Sequence, residues 1–377
     1  MIYVGFLLIF ALASFFDTSR EEISLKSVSL LILFLITVFF IGLRYYTGSD
    51  WSGYINYFNT VSWDNNTYEF GYKLLNLFVK NTVNDYFFVQ FLATLFFSFS
   101  VFRFYYKYNN QYLFLSIFLV LSIYFSELFM CQVRQSLAIG VLLFGTGFLL
   151  DGRWIKYCIC IFIASLFHKT AVFAFVFFLF CVDVPKFVRI LIVFSSIVLL
   201  QFPEILTQTL LYISQIFPGK LQATAVSYLN SDIFGGTTEL GTGLYFYSQS
   251  ALVIIIVLFY TPQTKEDVVF LNMLVISIFI KNLSVGVFIL NRVESYVGLY
   301  AITGFTRLFE IRLIKEWREI FCIVFCLFIF YFGIPFYVER TSHGISDLTG
   351  RDSQYQYLPY YSVFFHPEGF YRKDWNE

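Results

Sequence analysis

Long runs of apolar residues separated by short polar segments dominate this sequence. The runs do not alternate with the period of two that marks a transmembrane β-strand, so they predict helices. The candidate spans number about 12, and their bounds are 2–16, 28–43, 86–106, 112–130, 135–150, 154–167, 170–182, 187–201, 244–260, 268–290, 293–306 and 319–338. This pattern predicts an all-α polytopic integral membrane protein, with residues 1–377 forming one membrane domain.

Several of these spans are shorter than the roughly 20 residues that cross a full bilayer. The pair 154–167 and 170–182 is the clearest example. It fits either two short spans or a re-entrant hairpin, with His168 and Lys169 at the tip. Both alternatives leave the two ends of the pair on the same side of the membrane.

Lysine and arginine concentrate in alternate short loops between the spans. Loops with such an excess of basic residues are cytoplasmic in most membrane proteins. Both termini and three long segments, about 44–85, 202–243 and 339–377, are then expected on the outer side of the membrane.

Two of the outward segments contain amphipathic helical patterns. In residues 69–81 the apolar positions Phe70, Leu74, Leu77 and Phe78 share one face, opposite Lys73, Asn76 and Lys80. In residues 203–220 the apolar positions are Leu206, Leu210, Ile213 and Phe217. Such helices either pack on the bundle or lie in the membrane interface as a lid over a lipid-linked substrate.

The composition agrees with a membrane protein and limits the partners and cofactors to be expected. Hydrophobic residues make up 58% of the chain and charged residues 13%, about half the charged share of soluble domains. The net charge of +0 gives no reason to expect nucleic acid as a partner. The six cysteines lack a Cys-x-x-Cys pair and are interpreted as packing thiols, and no metal or other cofactor is predicted.

Charged residues gather at the predicted outer ends of the helices. They are Arg44, Asp50, Glu69, Arg134, His168, Arg292 and Glu294. Arginine binds phosphate oxygens through paired, charge-assisted hydrogen bonds, so three arginines on one face suit a lipid-linked pyrophosphate. The alternative is that each arginine only reaches toward lipid headgroups or pairs with a local acid. Lys281, inside span 268–290, is the main exception to the outer placement.

Aromatic residues crowd the same outer segments. Those nearest the charges are Tyr45, Tyr46, Trp51, Tyr54 and Tyr72. Such rings stack on sugar faces and hydrogen-bond sugar hydroxyls. They also form the ordinary interfacial belt of membrane proteins, so both interpretations stay open for each ring.

Three stretches, RYYTGSDWSGYINYF, EFGYKLL and VRQSLAIGVLLFGTGFLLDGRWIKYCICIFIASLFHKTAVFAF, resemble the EpsG family of Wzy-type polysaccharide polymerases. The later NRVESYV and LPYYSVF resemble it more loosely. The resemblance implies a GT-C-like bundle in a bacterial inner membrane. It implies an inverting glycosyltransferase that joins undecaprenyl-pyrophosphate-linked repeat units at the periplasmic face into O-antigen, capsule or exopolysaccharide.

In the expected mechanism Arg44, Arg134 and Arg292 hold the pyrophosphate, and the five aromatic residues above bind sugar. Glu69 and His168 are preferred as the general base over Asp50 and Glu294. Expected partners are the lipid-linked glycan, membrane lipids, a Wzz-type chain-length regulator and a flippase. The alternatives are an O-antigen ligase, which uses the same donor, or a lipid-linked oligosaccharide flippase or permease.

Overall fold

A computed structural model describes residues 2–17, 23–202, 208–209, 211–212, 215, 244–285, 287, 289–316, 357 and 360–368. Their regular elements are all helical, and two isolated β-bridges complete them. The chain divides into two compact units, Met1–Phe175 with Trp317–Glu377, and Val176–Glu316. That the whole chain forms one domain stays a prediction.

The first unit contains eight α-helices among its described residues. They are α1 Ile2–Ala13, α2 Ile23–Gly42, α3 Trp51–Thr60, α4 Phe70–Thr82, α5 Tyr86–Tyr108, α6 Leu113–Tyr124, α7 Val133–Leu150 and α8 Trp154–Ser165. Short 3₁₀-helices cover Ser14–Asp17 and Asn110–Tyr112, and a π-helix covers Phe125–Cys131.

The second unit contains five α-helices among its described residues. They are α9 Lys186–Leu200, α10 Leu244–Phe259, α11 Lys265–Leu283, α12 Leu290–Thr306 and α13 Arg312–Lys315. A 3₁₀-helix covers Arg307–Glu310, and another, Lys169–Cys181, includes the boundary between the two units.

Three helical segments in the described part of the chain are long and apolar enough to cross a membrane, namely Tyr86–Tyr108, Asn110–Cys131 and Val133–Leu150. The prediction of a helical membrane protein is confirmed, and each predicted span up to residue 306 has a helix in its place. The number of crossings and the GT-C-like bundle stay predictions. The span 319–338 and the amphipathic positions Leu206, Leu210, Ile213 and Phe217 lie outside the described residues.

The predicted span 268–290 is wrong at its C-terminal end. The α11 helix ends at Leu283, and α12 begins at Leu290. Lys281 therefore lies in the last turn of α11, where the negative end of the helix dipole favours a cation. Its Nζ lies 3.2 Å from the hydroxyl of Tyr245 on α10.

The amphipathic helix predicted over 69–81 is present as α4. Its apolar residues Phe70, Leu74 and Phe78 are exposed, whereas Leu77 is buried in the core of the first unit. An exposed row of large apolar side chains on a helix is typical of a surface that faces lipid.

The polar side of α4 faces inward because its lysines bind backbone carbonyl groups. Lys73 is buried, and its Nζ donates to the carbonyl oxygen of Trp63 and, at 2.9 Å, to Oδ1 of Asn66. Lys80 Nζ donates to the carbonyl oxygen of Asn59 at 2.7 Å. These bonds hold the irregular segment between α3 and α4 against the helix.

Arg44 follows the end of α2 and is 2% exposed. Its Nη1 donates to the carbonyl oxygen of Ile41 at 2.8 Å, and its Nη2 donates to that of Met130, also at 2.8 Å. Its Nε donates to the carbonyl oxygen of Thr47 at 3.3 Å. Met130 belongs to the π-helix, so the guanidinium group joins the end of α2 to the segment that precedes α7.

The α11 and α12 helices pack together at a glycine. A Cβ atom added to Gly304 would lie 2.5 Å from the carbonyl oxygen of Phe270 and 3.0 Å from Cβ of Leu274. The two backbones can approach this closely only because position 304 carries no side chain.

We predict that Gly304→Ala lowers the free energy of unfolding of the detergent-purified protein by about 1–3 kcal/mol, because α12 must move away from α11. Gly5→Ala on α1 is the matched control, since an added Cβ there meets nothing within 4 Å. That control should leave the melting temperature unchanged or raise it. Equal melting temperatures for the two variants would contradict the packing argument.

Candidate active site

An ion pair joins the N-terminal ends of α4 and α7. Arg134 is the second residue of α7, and its Nη1 donates to Glu69 Oε2 at 2.6 Å. Glu69 is the N-cap residue of α4, yet its side chain makes no capping hydrogen bond. The Arg134 and Glu69 side chains are 22% and 9% exposed. Such partial burial weakens solvent screening, so this pair holds the helix ends together more firmly than a surface pair would.

The loop after α8 contacts the same carboxylate. Gly71 N–H donates to the carbonyl oxygen of Leu166 at 2.7 Å, and a Cβ atom at position 71 would lie 2.9 Å from that oxygen. The backbone N–H of Lys169 then donates to Glu69 Oε1 at 3.3 Å. His168 Nδ1 lies 3.7 Å from Glu69 Oε1, which is longer than a hydrogen bond but short enough for an ion pair with a protonated ring.

Glu69 stays ionised in this setting. Burial raises the pKa of its carboxyl group, but His168 and the positive charge of Arg134 together lower it more, from 4.5 to about 2. A carboxylate with so low a pKa is a weak proton acceptor. The contacts of Glu69 suit it to orient Arg134 and His168, and its role as the general base stays a prediction.

Four tyrosines surround the guanidinium group of Arg134, and we call Tyr54, Tyr57, Tyr68 and Tyr72 the tyrosine cluster. Arg134 Cζ lies 4.1 Å from the centre of the Tyr68 ring, in cation–π geometry. The Tyr68 ring centre is 4.5 Å from that of Tyr57 and 5.8 Å from that of Tyr72. The Tyr54 ring centre is 5.6 Å from that of Tyr72.

Asp50 lies near the tyrosine cluster. It is the N-cap residue of α3 without a side-chain capping bond, and its Oδ1 accepts a hydrogen bond from Ser49 Oγ at 2.9 Å. Burial raises the pKa of the Tyr54 hydroxyl, and the nearby Asp50 carboxylate raises it further. Tyr54 therefore keeps its proton and acts as a neutral hydrogen-bonding group.

The other aromatic residues proposed for sugar binding form a separate stack. The Tyr45 ring lies parallel to that of His366, with 4.0 Å between ring centres, and it also stacks on Phe87. Tyr46 contacts Tyr45 and Trp51, with ring centres 4.1 Å and 4.6 Å apart. Tyr45 is thus covered by other rings, and the sugar roles of Tyr45, Tyr46 and Trp51 stay predictions.

The remaining predicted residues have other surroundings. The carbonyl contacts of Arg44 do not favour its pyrophosphate role, which stays a prediction. In the second unit, Glu294 is buried on α12, and Ser277 Oγ donates to its Oε1 at 2.6 Å. Arg292 is partly buried in the first turn of α12. The roles of Arg292 and Glu294 also stay predictions.

Tyr57 and Tyr68 lie in the site but are not among the residues predicted from the sequence. Tyr57 lies three residues after Tyr54 and so shares its face of α3, and Tyr68 directly precedes Glu69. Those two spacings were the available signals. In the part of the chain that the structure describes, no group of three or more His, Cys, Asp or Glu side chains could hold a metal ion.

Comparison with known proteins identifies the family. The EpsG family model matches residues 27–362, which cover most of the chain, including the Arg134 ion pair and the tyrosine cluster. No curated protein and no solved structure matches the sequence. On the extent of the family match, this chain belongs to the EpsG family.

Proposed function

We propose that this membrane protein is a polysaccharide polymerase that extends a glycan carried on a polyprenyl pyrophosphate. Family membership supports a membrane protein of the polysaccharide-polymerase type. The single observation that carries the finer proposal is the surroundings of Arg134, a cation at a helix N-terminus between tyrosine rings, a carboxylate and a histidine.

The chemistry of glycan polymerisation requires three kinds of group. A departing pyrophosphate needs positive charge, which Arg134 supplies at the end of α7 where the helix dipole is also positive. An acceptor hydroxyl needs a base, and the sugar rings need aromatic surfaces. His168 and the tyrosine cluster provide the second and third.

In the proposed reaction an acceptor hydroxyl oxygen attacks the anomeric carbon of the donor glycan. The bond between that carbon and the pyrophosphate oxygen breaks, and its electron pair leaves with the polyprenyl pyrophosphate. His168 accepts the hydroxyl proton, while Glu69 orients His168 and Arg134. One such displacement inverts the configuration at the anomeric carbon. We place the site at the periplasmic face of the bacterial inner membrane, where the product becomes O-antigen, capsule or exopolysaccharide.

The direct test uses purified protein in detergent with a synthetic polyprenyl-pyrophosphate-linked repeat unit. We expect longer glycans on one lipid and release of free polyprenyl pyrophosphate. Because detergent offers no sealed compartment, a flippase or permease would give no longer product. Transfer only to an added lipid A core, without chain extension, would show a ligase instead.

We predict that Arg134→Gln lowers the rate of chain extension by about 10²–10³-fold, because one preorganised charge at the leaving pyrophosphate is lost. Arg134→Lys should recover only part of the rate, since lysine cannot form the paired bonds of a guanidinium group. Rates are measured at equal amounts of folded protein. Arg103→Gln is the control. Arg103 lies in the C-terminal half of α5 and packs over the Phe144 ring, so it takes no part in the Arg134 site. Full activity in Arg134→Gln would rule out this role.

We predict different pH profiles for Glu69 and His168 variants. Since the pKa of Glu69 is about 2, its carboxylate is ionised throughout the neutral range, and Glu69→Gln should lower the rate without changing the shape of the pH–rate profile. His168→Gln should lower the rate by about 10²–10⁴-fold and remove the fall in rate toward acidic pH. Loss of that acidic fall in Glu69→Gln would instead make Glu69 the base.

The same pKa gives a stability effect with a defined sign. The folded-state pKa of Glu69 lies below its ordinary value of 4.5, so its ionisation stabilises the protein above pH 4.5. This contribution is lost as the pH falls from 4.5 to about 2. Glu69→Gln should therefore show a smaller loss of melting temperature over that pH interval than the unchanged protein.

A further inference from the structure

The tyrosine cluster contains polar atoms that no described protein group satisfies. The hydroxyl groups of Tyr57 and Tyr72 are buried and have no hydrogen-bond partner among the described residues. Their side chains are 4% and 0% exposed. Nε of Arg134 and Nδ1 of His168 are likewise buried without a hydrogen bond. Buried polar groups almost always have partners, so two such hydroxyls beside the Arg134 guanidinium group indicate a polar ligand.

The Asn76 side chain interacts with the Tyr72 hydroxyl, but it does not lie within hydrogen-bonding distance of that hydroxyl. The amide of Asn76 lies one turn after Tyr72, but its Nδ2 donates to the backbone carbonyl oxygen of Tyr72 at 2.8 Å. Glu69 directs its carboxylate at Arg134 Nη1 and at the Lys169 backbone. The hydroxyls of Tyr57 and Tyr72 therefore stay available for a bound molecule.

The kind of ligand follows from the mixture of groups. Burial raises the pKa of the Tyr57 and Tyr72 hydroxyls, so both stay protonated and can donate as well as accept. A phosphate group only accepts hydrogen bonds, so it would use these hydroxyls as donors alone. A pyranose ring has hydroxyls that donate and accept, and apolar C–H faces that pack on aromatic rings.

Position then identifies which sugar is bound. The cluster contacts Arg134 directly, with Tyr68 stacked on the guanidinium group. If Arg134 holds a lipid-linked pyrophosphate, the sugar attached to that pyrophosphate is the one that reaches these rings. Tyr68 is partly exposed and lies in the irregular segment between α3 and α4, so it forms the accessible wall of the cluster.

We propose that Tyr57 and Tyr72 bind the sugar ring joined directly to the donor pyrophosphate, with Tyr68 packing on one of its faces. This inference depends on the proposed function for the identity of the pyrophosphate. It adds a subsite beside Arg134 that determines specificity. This subsite distinguishes donor sugars by the arrangement of the hydroxyl groups on the first sugar ring.

The test compares two probes that differ only in the sugar. One is a short-chain polyprenyl pyrophosphate carrying a single N-acetylhexosamine or hexose, and the other is the same polyprenyl pyrophosphate without sugar. Dissociation constants are measured with detergent-purified protein, first for the unchanged chain and then for Tyr57→Phe and Tyr72→Phe. Each variant removes one oxygen atom and keeps the ring.

We use whichever sugar, N-acetylhexosamine or hexose, gives the tighter binding to the unchanged protein. We expect each variant to weaken binding of that sugar-bearing probe about tenfold, because one hydrogen bond is lost. Binding of the sugar-free probe should not change. The melting temperature should stay equal or rise, because the removed hydroxyl has no described protein partner. Tyr105→Phe, at a fully buried ring in the last turn of α5, is the control for probe binding.

Three other results would overturn the subsite. Unchanged affinity of both variants for the sugar-bearing probe would show that these hydroxyls bind no sugar. An equal loss for both probes would place the hydroxyls on the pyrophosphate instead. A marked drop in melting temperature would show a structural role. The proposed function fails in a different measurement. In that case the unchanged protein does not extend chains in the detergent assay, whereas the binding of the two probes is measured separately.

Discussion

The ion pair between Arg134 and Glu69 is the interaction on which the candidate site depends. It connects the start of α7, the start of α4 and, through the Lys169 backbone, the loop that carries His168. These three segments are distant in the sequence, and Arg134 and Glu69 alone are separated by 65 residues. The pair occupies Nη1 of the guanidinium group, whereas Nε is buried and makes no hydrogen bond to a described residue.

Packing keeps this arrangement in place. Close approach at Gly71 fixes the loop after α8 against α4, and rings from α3 and α4 lie in one buried cluster with residues of α5 and α7. Because the inner side of α4 is tied by Lys73 and Lys80, its apolar residues face outward, as expected of a helix at the membrane interface. A lipid-linked substrate could then meet Arg134 at the level where its headgroup changes from apolar to charged.

The sequence allowed most helices to be predicted because long apolar runs need helical hydrogen bonding in lipid. It did not settle which face of α4 is buried, since periodicity shows which residues share a face but not what that face contacts. Arg44 and Arg134 looked equivalent, yet one binds carbonyl groups, including that of Met130, 86 residues away, and the other binds a carboxylate. Such partners arise from tertiary packing, which no short motif contains.

The most direct measurement is an experimental structure of the protein with a bound polyprenyl-pyrophosphate-linked sugar. We expect phosphate oxygen atoms within hydrogen-bonding distance of the Arg134 guanidinium group, with the first sugar among Tyr57, Tyr68 and Tyr72. A pyrophosphate bound elsewhere, with the Arg134–Glu69 pair undisturbed and the tyrosine hydroxyls still without a ligand, would contradict it.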